Sequence, residues 1–591
     1  MAAPLLGVES SFNSYQWVQK PYTDKEAEYL TRRFDLPFIV AQILSSRNIK
    51  AEEAEAFLYP SMKKHLPDPS RLKDMDKGVA RAAKAIKNGE KIAIFGDYDV
   101  DGATSSSLLY LFLKTVGAEV ILHIPDRDDG YGPNMKAMED FISAGVQLLL
   151  TVDCGTGAAE PLNFISSKGV DTIVIDHHEP DITAAPTVHA LINPKRIDEA
   201  IDNPWRSLAA VGVAFMFIIA LNRLLRTEEW YSQNGIPEPD IRQWLDLVAL
   251  GTVCDVVPLI GLNRLLVKSG LKYFAKRSNI GLAALSDSAG IKEAPGTYHL
   301  GFVLGPRINA GGRIGNAALG ASLICTPNDD EAASICKKLE ELNATRKEIE
   351  AAVSIEAIEQ IESRSEEQNI AFAYGKDWHA GVIGIVAGRL KERYNLPSFV
   401  ISIDGDEAHG SCRSVPGIDI GSAVLDALAH GIISKGGGHI MAAGFSLPAA
   451  NIPEAYRFFS EHIASQAGKD LSTPELELDG VLDINAVNLE LAETLNLLEP
   501  FGEGNPEPKF ALKEVGVYAS GIRGSGHIVC TLSGRAGGSV KAIAFKAADT
   551  GMGKSFLENH GEMYNLAGYL KINEWNGRKS VQFVIIDAHK I

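Results

Sequence analysis

Several features that define other protein classes are scarce or missing in this chain. The six cysteines among 591 residues are scattered and form no C-x-x-C pair, which argues against zinc ribbons and against a disulfide framework. The most apolar stretch, Val211 to Leu221, is shorter than the roughly 18 residues that a membrane span requires, so we expect a buried helix there. The N-terminus shows no basic segment before a long apolar run. We therefore expect a cytoplasmic protein with no secretory signal and no membrane contact.

Positive charge is also in short supply. The chain has 57 Lys and Arg against 75 Asp and Glu, a formal net charge of -18. This balance argues against a protein that coats nucleic acid by bulk charge alone, although a local basic groove beside metal-neutralised carboxylates stays compatible with it. Hydrophobic content of 46% and charged content of 22% are typical of soluble globular proteins. The length predicts about four domains.

Strand and helix patterns alternate from about residue 75, with apolar strands such as Ile92 to Phe95 and Leu148 to Val152. Such alternation predicts a mostly parallel sheet covered by helices. A Glu-rich helical pattern from about 328 to 367 would form a helix about 60 Å long, which either connects two domains or packs on one. A second alternation follows it. Five short strand patterns after residue 476 predict a small barrel of the OB type.

The predicted fold class is α/β, with a parallel-sheet first domain, a long connecting helix, a second α/β domain and a C-terminal OB-like β-barrel. The expected boundaries are 1–50 for an N-terminal segment, 51–327 for the first domain, 328–368 for the connecting helix, 369–468 for the second domain and 469–591 for the barrel. We assign no chemistry to residues 1–50.

Three carboxylates follow the first predicted strand: Asp97, Asp99 and Asp101. Open α/β sheets bind ligands at the carboxyl ends of their strands. Carboxylates about 4 Å apart repel by roughly 4 kcal/mol per pair at an effective dielectric near 20, so the cluster needs a cation or must take up protons. A hard metal ion is the simplest partner.

Two other readings of these acids compete. Asp-x-Asp-x-Asp-Gly also opens an EF-hand calcium loop, but that loop needs a preceding helix and a Glu at its twelfth position, where this chain has Leu108. The other reading is an Asp-rich turn in which Asp101 stabilises the start of a helix.

Three more apolar segments end in acid or imidazole. Asp153 follows Leu148 to Val152, Asp176-His177-His178 follows the next strand, and Asp255 interrupts an apolar stretch. His177 could bind a metal through one ring nitrogen while His178 binds a phosphate oxygen. Each segment alone could be a helix cap or a satisfied buried polar group. Four segments that converge on one sheet edge favour a metal site.

Eight short motifs are jointly very specific: GDYDVDG (96–102), VDCG (152–155), DHH (176–178), GTVCDVVP (251–258), GPRINAGGR (305–313), WHAGVIG (378–384), SCR (411–413) and GGGH (436–439). With these motifs the chain resembles the DHH phosphoesterase superfamily, and closely the RecJ family of single-strand-specific 5′→3′ exonucleases. The resemblance runs from about residue 60 to the C-terminus.

The resemblance implies two divalent ions, Mn²⁺ or Mg²⁺, which suit oxygen-rich ligation with one imidazole. The implied ligands are Asp97, Asp99, Asp101, Asp153, His177 and Asp255. Among them, Asp153 is expected to bridge the two ions. Asp97 is either a ligand or a residue that contacts a ligand without touching an ion. His178 would help to hold the scissile phosphate, and with the six ligands it completes the expected catalytic set.

The second half of the chain supplies expected substrate contacts. By themselves, Gly436-Gly437-Gly438 could present backbone N-H groups to an anion or form a plain glycine-rich turn between a helix and a strand. The resemblance implies a pocket for a 5′-phosphate. The expected substrate-binding residues are Arg127, Tyr131, Arg307, Arg313, Ser411, Arg413, Gly436, Gly437, Gly438 and His439.

The barrel sequence places Tyr518, Phe545, Tyr564, Tyr569 and Trp575 near several lysines and arginines. Stacking on aromatic rings beside a basic groove is how such folds hold single strands. Most of these rings are nonetheless expected in the barrel core.

The sequence thus predicts a metal-dependent exonuclease of DNA repair and recombination that degrades single-stranded DNA from its 5′ end to 5′-mononucleotides. Alternatives are a DHH phosphodiesterase for short oligonucleotides or cyclic dinucleotides, and an inactive DHH replication scaffold. The retained candidate ligands argue against the scaffold. The resemblance implies a helicase and a single-strand-binding protein as partners, and we expect a monomer.

Overall fold

The computed structural model describes residues 3–180, 185–200, 203–364, 368–467, 474–559, 561–575 and 577–591. The predicted boundary between the second α/β domain and the barrel, at residues 468 and 469, lies outside these ranges. The end of the predicted connecting helix, at residues 365–367, also lies outside them.

A five-stranded parallel sheet forms the centre of the first half of the chain, with strand order β3-β2-β4-β5-β6. Its elements, in chain order, are α5 (Met75–Asn88), β2 (Ile92–Gly96), α6 (Val100–Thr115), β3 (Val120–His123), α7 (Met135–Ser143), β4 (Leu148–Val152), α8 (Ala159–Ser167), β5 (Asp171–Ile175) and β6 (Ala190–Ile192), and they follow β1 and α1 to α4, given below. The central strands β2 and β4 are buried throughout, as continuous apolar runs require. The predicted alternation is therefore confirmed.

Helices dominate after this sheet: α9 (Ala210–Thr227), α10 (Trp230–Asn234), α11 (Leu245–Cys254), α12 (Gly261–Phe274), α13 (Ile280–Ser288), a π-helical turn (His299–Leu304), α14 (Gly305–Ile314) and α15 (Ala318–Cys325). Helix α9 is long and apolar enough to cross a membrane, but most of its residues are buried inside the protein. The expectation of a buried helix at Val211 to Leu221 is confirmed.

The long helix α16 (Asp329–Glu362) contains 34 residues, which corresponds to about 50 Å. Asn328 caps its first turn. Glu350, buried within it, pairs with Arg346 of the same helix and with Arg389 of the next unit. The helix therefore packs on the elements that follow it through apolar contacts and through an ion pair between the buried Glu350 and the exposed Arg389.

A second five-stranded sheet has the order β10-β11-β9-β8-β7. Its elements are β7 (Ala371–Lys376), α17 (Ala380–Tyr394), β8 (Ser398–Asp404), β9 (Glu407–Arg413), α18 (Ile420–Ala429), β10 (Lys435–His439), β11 (Ala442–Pro448) and α19 (Ile452–Ala467). Strand β10 forms one edge of the sheet.

The C-terminal part is a closed barrel, because β17 pairs with both β18 and β14. Its elements are β12 (Glu475–Leu478), β13 (Gly480–Leu482), α20 (Leu489–Leu495), β14 (Phe510–Arg523), β15 (His527–Gly534), β16 (Ser539–Ala544), α21 (Gly551–Leu557), β17 (Met563–Trp575) and β18 (Arg578–Lys590). The predicted OB-like barrel is confirmed.

The N-terminal elements belong structurally with this barrel. They are β1 (Gln16–Gln19), α1 (Asp24–Phe34), α2 (Phe38–Ser46), α3 (Ala51–Leu58) and α4 (Met62–His65). Strand β1 pairs in parallel with β12, and the buried Trp17 donates a hydrogen bond to Asp587 at 2.9 Å. Helices α1 to α3 share one apolar core with the barrel.

Candidate metal and phosphate site

The first three acids leave the carboxyl end of β2 and enter the first turn of α6. Asp99 is the N-cap of α6, and its Oδ1 accepts a hydrogen bond from the Gly102 amide at 3.0 Å. Asp101 is fully buried, and its carboxylate accepts hydrogen bonds from the amides of Ala210 and Val211 at the start of α9. The interpretation that Asp101 lies near the start of a helix is thus correct, the capping role of Asp99 was not predicted, and both residues also belong to the acidic cluster.

Asp153 and His177 meet above two neighbouring parallel strands. Nε2 of His177 lies 3.3 Å from Oδ1 of Asp153, and Asp153 has a left-handed backbone with φ 61°. Such a conformation is rare for a residue other than glycine and persists only where the surroundings enforce it. Here the Asp153 amide donates to the carbonyl of Ile175 on β5.

Asp255 joins the same cluster from a different element. Its Oδ2 lies 3.6 Å from His177 Nε2, but the residue is the C-cap of helix α11. The expectation that all four acidic segments reach the site as ends of one sheet needs this correction. Every residue from Leu245 to Thr252 is buried, so the helix has no polar face, and its apolar run looks like that of a buried strand.

Candidate ligand atoms fall into three groups within which all atoms lie within 4.8 Å of one another. These groups are Asp97, Asp99 and Asp153; Asp101, His177 and Asp255; and Asp153, His177 and His178. Asp153 and His177 each belong to two groups, so these two residues connect the three groups. The structure therefore brings together all seven residues that we predicted as catalytic.

The carboxylates of the cluster are buried close to one another, which disfavours their charged forms. Burial raises the pKa of Asp97 to about 8, of Asp101 to about 7 and of Asp255 to about 9, and neighbouring carboxylates add to each shift. The pKa of Asp153 is raised for the same two reasons. Bound cations would remove this penalty by compensating the negative charges.

The donor atoms fit divalent ions. Three buried atoms of the cluster, Asp97 Oδ1, His177 Nε2 and Asp255 Oδ2, have no hydrogen-bond partner among the described residues. Nδ1 of His177 lies 3.0 Å from the carbonyl oxygen of Leu208, so a proton on Nδ1 leaves Nε2 free to bind a metal. Burial lowers the pKa of His177 to about 4, which keeps the imidazole neutral. Carboxylate oxygens with one imidazole suit Mn²⁺ or Mg²⁺.

Asp176 orients the histidine pair, a role that was not predicted although the residue lies in the DHH motif. Its carboxylate accepts hydrogen bonds from the amides of Thr156, His177 and His178 and lies 2.8 Å from Nδ1 of His178. Burial lowers the pKa of His178, but the hydrogen bond and charge of Asp176 outweigh burial and raise that pKa above its ordinary value. The hydroxyl of Tyr131 lies 3.1 Å from His178.

An arginine cluster adjoins the acids. Burial lowers the pKa of Arg313 to about 10, and the positive charges of Arg127, Arg346 and Arg413 lower it further, while Asp99 raises it. Arg313 donates to the carbonyl of Gly381 at the start of α17, so the cluster lies where the first and second α/β units meet. Arginines held close together in this way favour an anion between them. Arg346 was not predicted, because its sequence context is an ordinary charged helix.

The second sheet contributes a polar face to this region. Arg413 and His439 occupy one cross-strand row, and Ser411 and Gly437 occupy another row on the same face. A Cβ at Gly384 of α17 would lie 3.1 Å from both Arg413 Nη2 and Ser411 Oγ, so a larger residue there would press on these two donors.

The predicted glycine turn is corrected by this geometry. Gly436, Gly437 and Gly438 lie in the edge strand β10, because they pair with β11 along their whole length. Gly436 faces Val424 in the core, whereas Gly437 has open space above it. Of the three glycines, Gly437 is therefore the one that leaves backbone accessible on the face shared with Ser411.

Two other predicted contacts lie as follows. Arg127 stacks on the ring of Tyr98 at 4.4 Å and donates to the carbonyl of Gly312, so it belongs to the arginine cluster. Arg307 instead pairs with Glu340 of α16 at 2.8 Å. Its role in substrate binding stays a prediction.

The π-helical turn adds an exposed aromatic pair that sequence reasoning missed. Tyr298 and Phe302 stack at 5.6 Å and are 65% and 75% exposed. Their turn packs on the end of α11, where the Cys254 thiol donates to the carbonyl of Leu300. The turn that carries the pair therefore contacts the residue before Asp255.

Comparisons with known proteins agree with this architecture. A model of the DHH family, N-terminal domain, matches residues 91–252, a DHHA1 domain model matches residues 367–465, and a RecJ OB domain model matches residues 478–587. The chain is 35% identical over 566 residues to the single-stranded-DNA-specific exonuclease RecJ of Salmonella typhimurium, covering 94% of this chain and 96% of that protein.

Solved structures extend the agreement. The crystal structure of RecJ in complex with Mn²⁺ from Thermus thermophilus has a TM-score of 0.80 and 29% identity, covering 98% of this chain and 79% of that one. The complex with Mg²⁺ has a TM-score of 0.73 and 27% identity, covering 98% and 78%. The resemblance drawn from the motifs and the predicted fold class are confirmed. The chain belongs to the RecJ family of single-stranded-DNA-specific exonucleases.

Proposed function

We propose that this protein is a metal-dependent exonuclease that hydrolyses single-stranded DNA from the 5′ end and releases 5′-mononucleotides in DNA repair and recombination. The observation that carries the proposal is the buried Nε2 of His177, which has carboxylate oxygens of Asp153, Asp255 and Asp101 at 3.3, 3.6 and 4.0 Å. A buried group of one imidazole and three carboxylates is unfavourable by itself, and bound cations would stabilise it. The name and the Mn²⁺ and Mg²⁺ complexes of the relatives support the same reading.

Asp97, Asp99, Asp101, Asp153, His177 and Asp255 would hold two divalent ions. When bound, Mn²⁺ or Mg²⁺ would supply Lewis-acid stabilisation of the scissile phosphate and lower the pKa of the attacking water. The protein's own contribution is to fix the donor atoms. Asp176 holds His178 beside the cluster, where its imidazolium can donate to a phosphate oxygen.

The arginine cluster would account for the action of the enzyme at the 5′ end of a strand. Arg313, Arg413 and Ser411 offer donors at the junction of the two α/β units, and the charge of Asp99 acts on Arg313. A terminal 5′-phosphate carries more negative charge than an internal phosphodiester and binds such a cluster more tightly. A strand anchored there by its 5′ end would place a nearby phosphodiester at the acids.

The barrel offers a path for the rest of the strand. Tyr518, Thr531, Lys541, Gln582 and Lys571 face one another across five strands, and we call them the barrel row. Tyr518 and Lys541 are exposed, so the row lies on the outer surface. An aromatic ring with two lysines suits stacked bases and backbone phosphates. The expectation that most of the five rings lie in the barrel core is wrong for the described side chains, because Tyr518 and Phe545 are exposed and Tyr564 alone among these side chains is fully buried. The side chain of Trp575 lies outside the described part.

The stacked pair Tyr298 and Phe302 provides a second apolar surface. Exposed aromatic pairs of this kind can stack on unpaired bases at about 1–3 kcal/mol per base. Its position next to the end of α11 would support the nucleotides that follow the scissile one. A duplex, whose bases are already paired and stacked, would gain nothing from such a surface.

The direct test compares turnover of a 5′-labelled long single strand with that of a dinucleotide and of a matched duplex, with and without Mn²⁺. We expect fast release of mononucleotides from the long single strand only when Mn²⁺ is present. Equal turnover of the dinucleotide would favour the oligonucleotide phosphodiesterase, and no turnover in Mn²⁺ would favour the inactive scaffold.

The proposal also includes the setting of the enzyme. We infer a soluble, monomeric protein of the cytoplasm. A helicase that unwinds duplex and a single-strand-binding protein that covers the product would be its natural partners, because the proposed substrate is unpaired DNA.

A further inference from the structure

The loop that follows Asp255 packs against a turn from the C-terminal third of the chain. The amide of Leu259 donates to the carbonyl of Glu503 at 2.7 Å, and Leu259 is 2% exposed. A Cβ added at Gly502 would lie 2.7 Å from Leu259 Cδ1, and one at Gly504 would lie 2.9 Å from Pro258 Cβ. The loop and the turn therefore fit together with no room for another methyl group.

A buried arginine holds the segment that leads into this turn. Arg264 of α12 is 1% exposed and donates to the carbonyls of Leu497, Leu498 and Glu499 at 3.0, 2.8 and 2.7 Å. Its guanidinium also lies 3.7 Å from the ring centroid of Phe57 in α3. A buried charge with this many acceptors fixes its partners closely, because any displacement leaves the guanidinium unpaired.

The loop is strained at its first residue. Val256 has φ 58°, a left-handed conformation that is unfavourable for a β-branched side chain, and it is 65% exposed. Its own side chain therefore contributes little packing to stabilise the turn. Strain of this kind persists only where the surroundings enforce it, and here the anchored part of the loop is the contact of Leu259 with the Gly502 to Asn505 turn.

We propose that Leu259, Arg264 and the turn Gly502 to Asn505 are positioning residues that hold Asp255 in its metal-binding place. The part of the chain that carries the barrel would thereby set the metal affinity of a site in the first α/β unit. The inference rests on the proposed role of Asp255 as a metal ligand. It assigns a function to the 497–505 segment, which contains none of the candidate ligands.

The test uses a matched pair of glycine substitutions in the full-length protein. Gly504→Ala and Gly235→Ala both place a methyl group at a left-handed residue, with φ 66° and 64°. Only the methyl at Gly504 meets Pro258, because the space at Gly235 is open. We expect Mn²⁺ binding, measured by calorimetry on the metal-free protein, to weaken about tenfold in Gly504→Ala. Gly235→Ala should bind Mn²⁺ as the wild type does.

Activity should report the same difference. Excess Mn²⁺ should restore kcat of Gly504→Ala on single-stranded DNA, and KM for DNA should stay unchanged. Equal Mn²⁺ affinities of the two glycine variants would overturn the inference, even if both lose thermal stability.

A second pair covers the case in which Gly504→Ala does not fold. Leu259→Ala removes the anchor of the loop, whereas Leu285→Ala removes an equally buried leucine of α13. We expect weaker Mn²⁺ binding only in Leu259→Ala, and equal affinities would again contradict the inference. Asp255→Asn separates the two claims: wild-type Mn²⁺ affinity in that variant rejects Asp255 as a ligand, and normal affinity in Leu259→Ala alone rejects only the positioning role.

Discussion

Nε2 of His177 lies 3.3 Å from Oδ1 of Asp153, although the two residues end different strands of the parallel sheet. The imidazole is neutral because burial lowers its pKa, so the pair is not an ordinary ion pair. A neutral nitrogen that faces a carboxylate at this distance is well placed to share a cation with it. The proposed chemistry depends on this arrangement.

Removal of either residue should abolish turnover. Asp153→Asn or His177→Ala should lower kcat on end-labelled single strands on the order of 10³-fold, because a metal site contributes several kcal/mol of transition-state stabilisation. Asp287→Asn is the matched control, since Asp287 is exposed and pairs with Arg277. Near-normal turnover in the first two variants would contradict the ligand assignment.

Arg413 should contribute more to binding the 5′ end of the strand than to binding the rest of the strand. Arg413→Ala should weaken binding of a 5′-phosphorylated single strand about tenfold, the value of one charge-assisted hydrogen bond, and should leave the affinity for a 5′-hydroxyl strand nearly unchanged. Fluorescence anisotropy with both strands measures the difference, with Arg242→Ala as an exposed control. An equal loss on both strands would assign Arg413 to general phosphate binding.

The barrel row should act on long strands only. Lys541→Ala should reduce the slope of the logarithm of the binding constant against the logarithm of the salt concentration by about one, because one phosphate contact is lost. Tyr518→Ala should weaken the free energy of binding by about 1–3 kcal/mol, because one stacked base is lost. Turnover of a dinucleotide should not change in either variant. Lys554→Ala, in α21 and off the sheet, is the control, and the row would be unimportant if all three variants bound a long strand equally.

The carboxyl of Asp246, which does not belong to the acidic cluster, should make the free energy of unfolding depend on pH. Burial raises the pKa of this carboxyl to about 7, above its value in the unfolded chain, so the folded state binds the proton more tightly. The stabilisation is present below pH 4 and is lost as the pH rises towards 7. Asp246→Asn should therefore raise the free energy of unfolding at pH 8, by about 2–4 kcal/mol, with little change at pH 4.

Urea denaturation at the two pH values measures this difference. Asp287→Asn again serves as the exposed control. A stability gain of Asp246→Asn that is the same at both pH values would contradict the raised pKa.

The sequence predicted the parallel sheet, the long helix and the barrel because their apolar periods are strong. The acids at 97, 153 and 176 were readable since each follows a buried strand. Asp255 was placed less well, because it was expected at the edge of the sheet, whereas it follows the buried helix α11.

Contacts between segments that are far apart in the sequence could not be predicted. The pairing of Leu259 with Glu503 and the position of Arg346 beside Arg313 depend on how separate units pack, and no local pattern encodes that packing. For the triple glycine, an anion-binding loop and a plain turn were the two alternatives, because glycine is common in both, whereas pairing with β11 makes it an edge strand.

The most direct measurement is the digestion of matched single-stranded and duplex DNA, each labelled at one end, by wild type and Asp153→Asn with Mn²⁺ or excess chelator. The account predicts 5′-mononucleotides from the 5′-labelled single strand alone, with wild type and Mn²⁺ only. Product in chelator, undiminished activity of Asp153→Asn, or release from the 3′ end would contradict it.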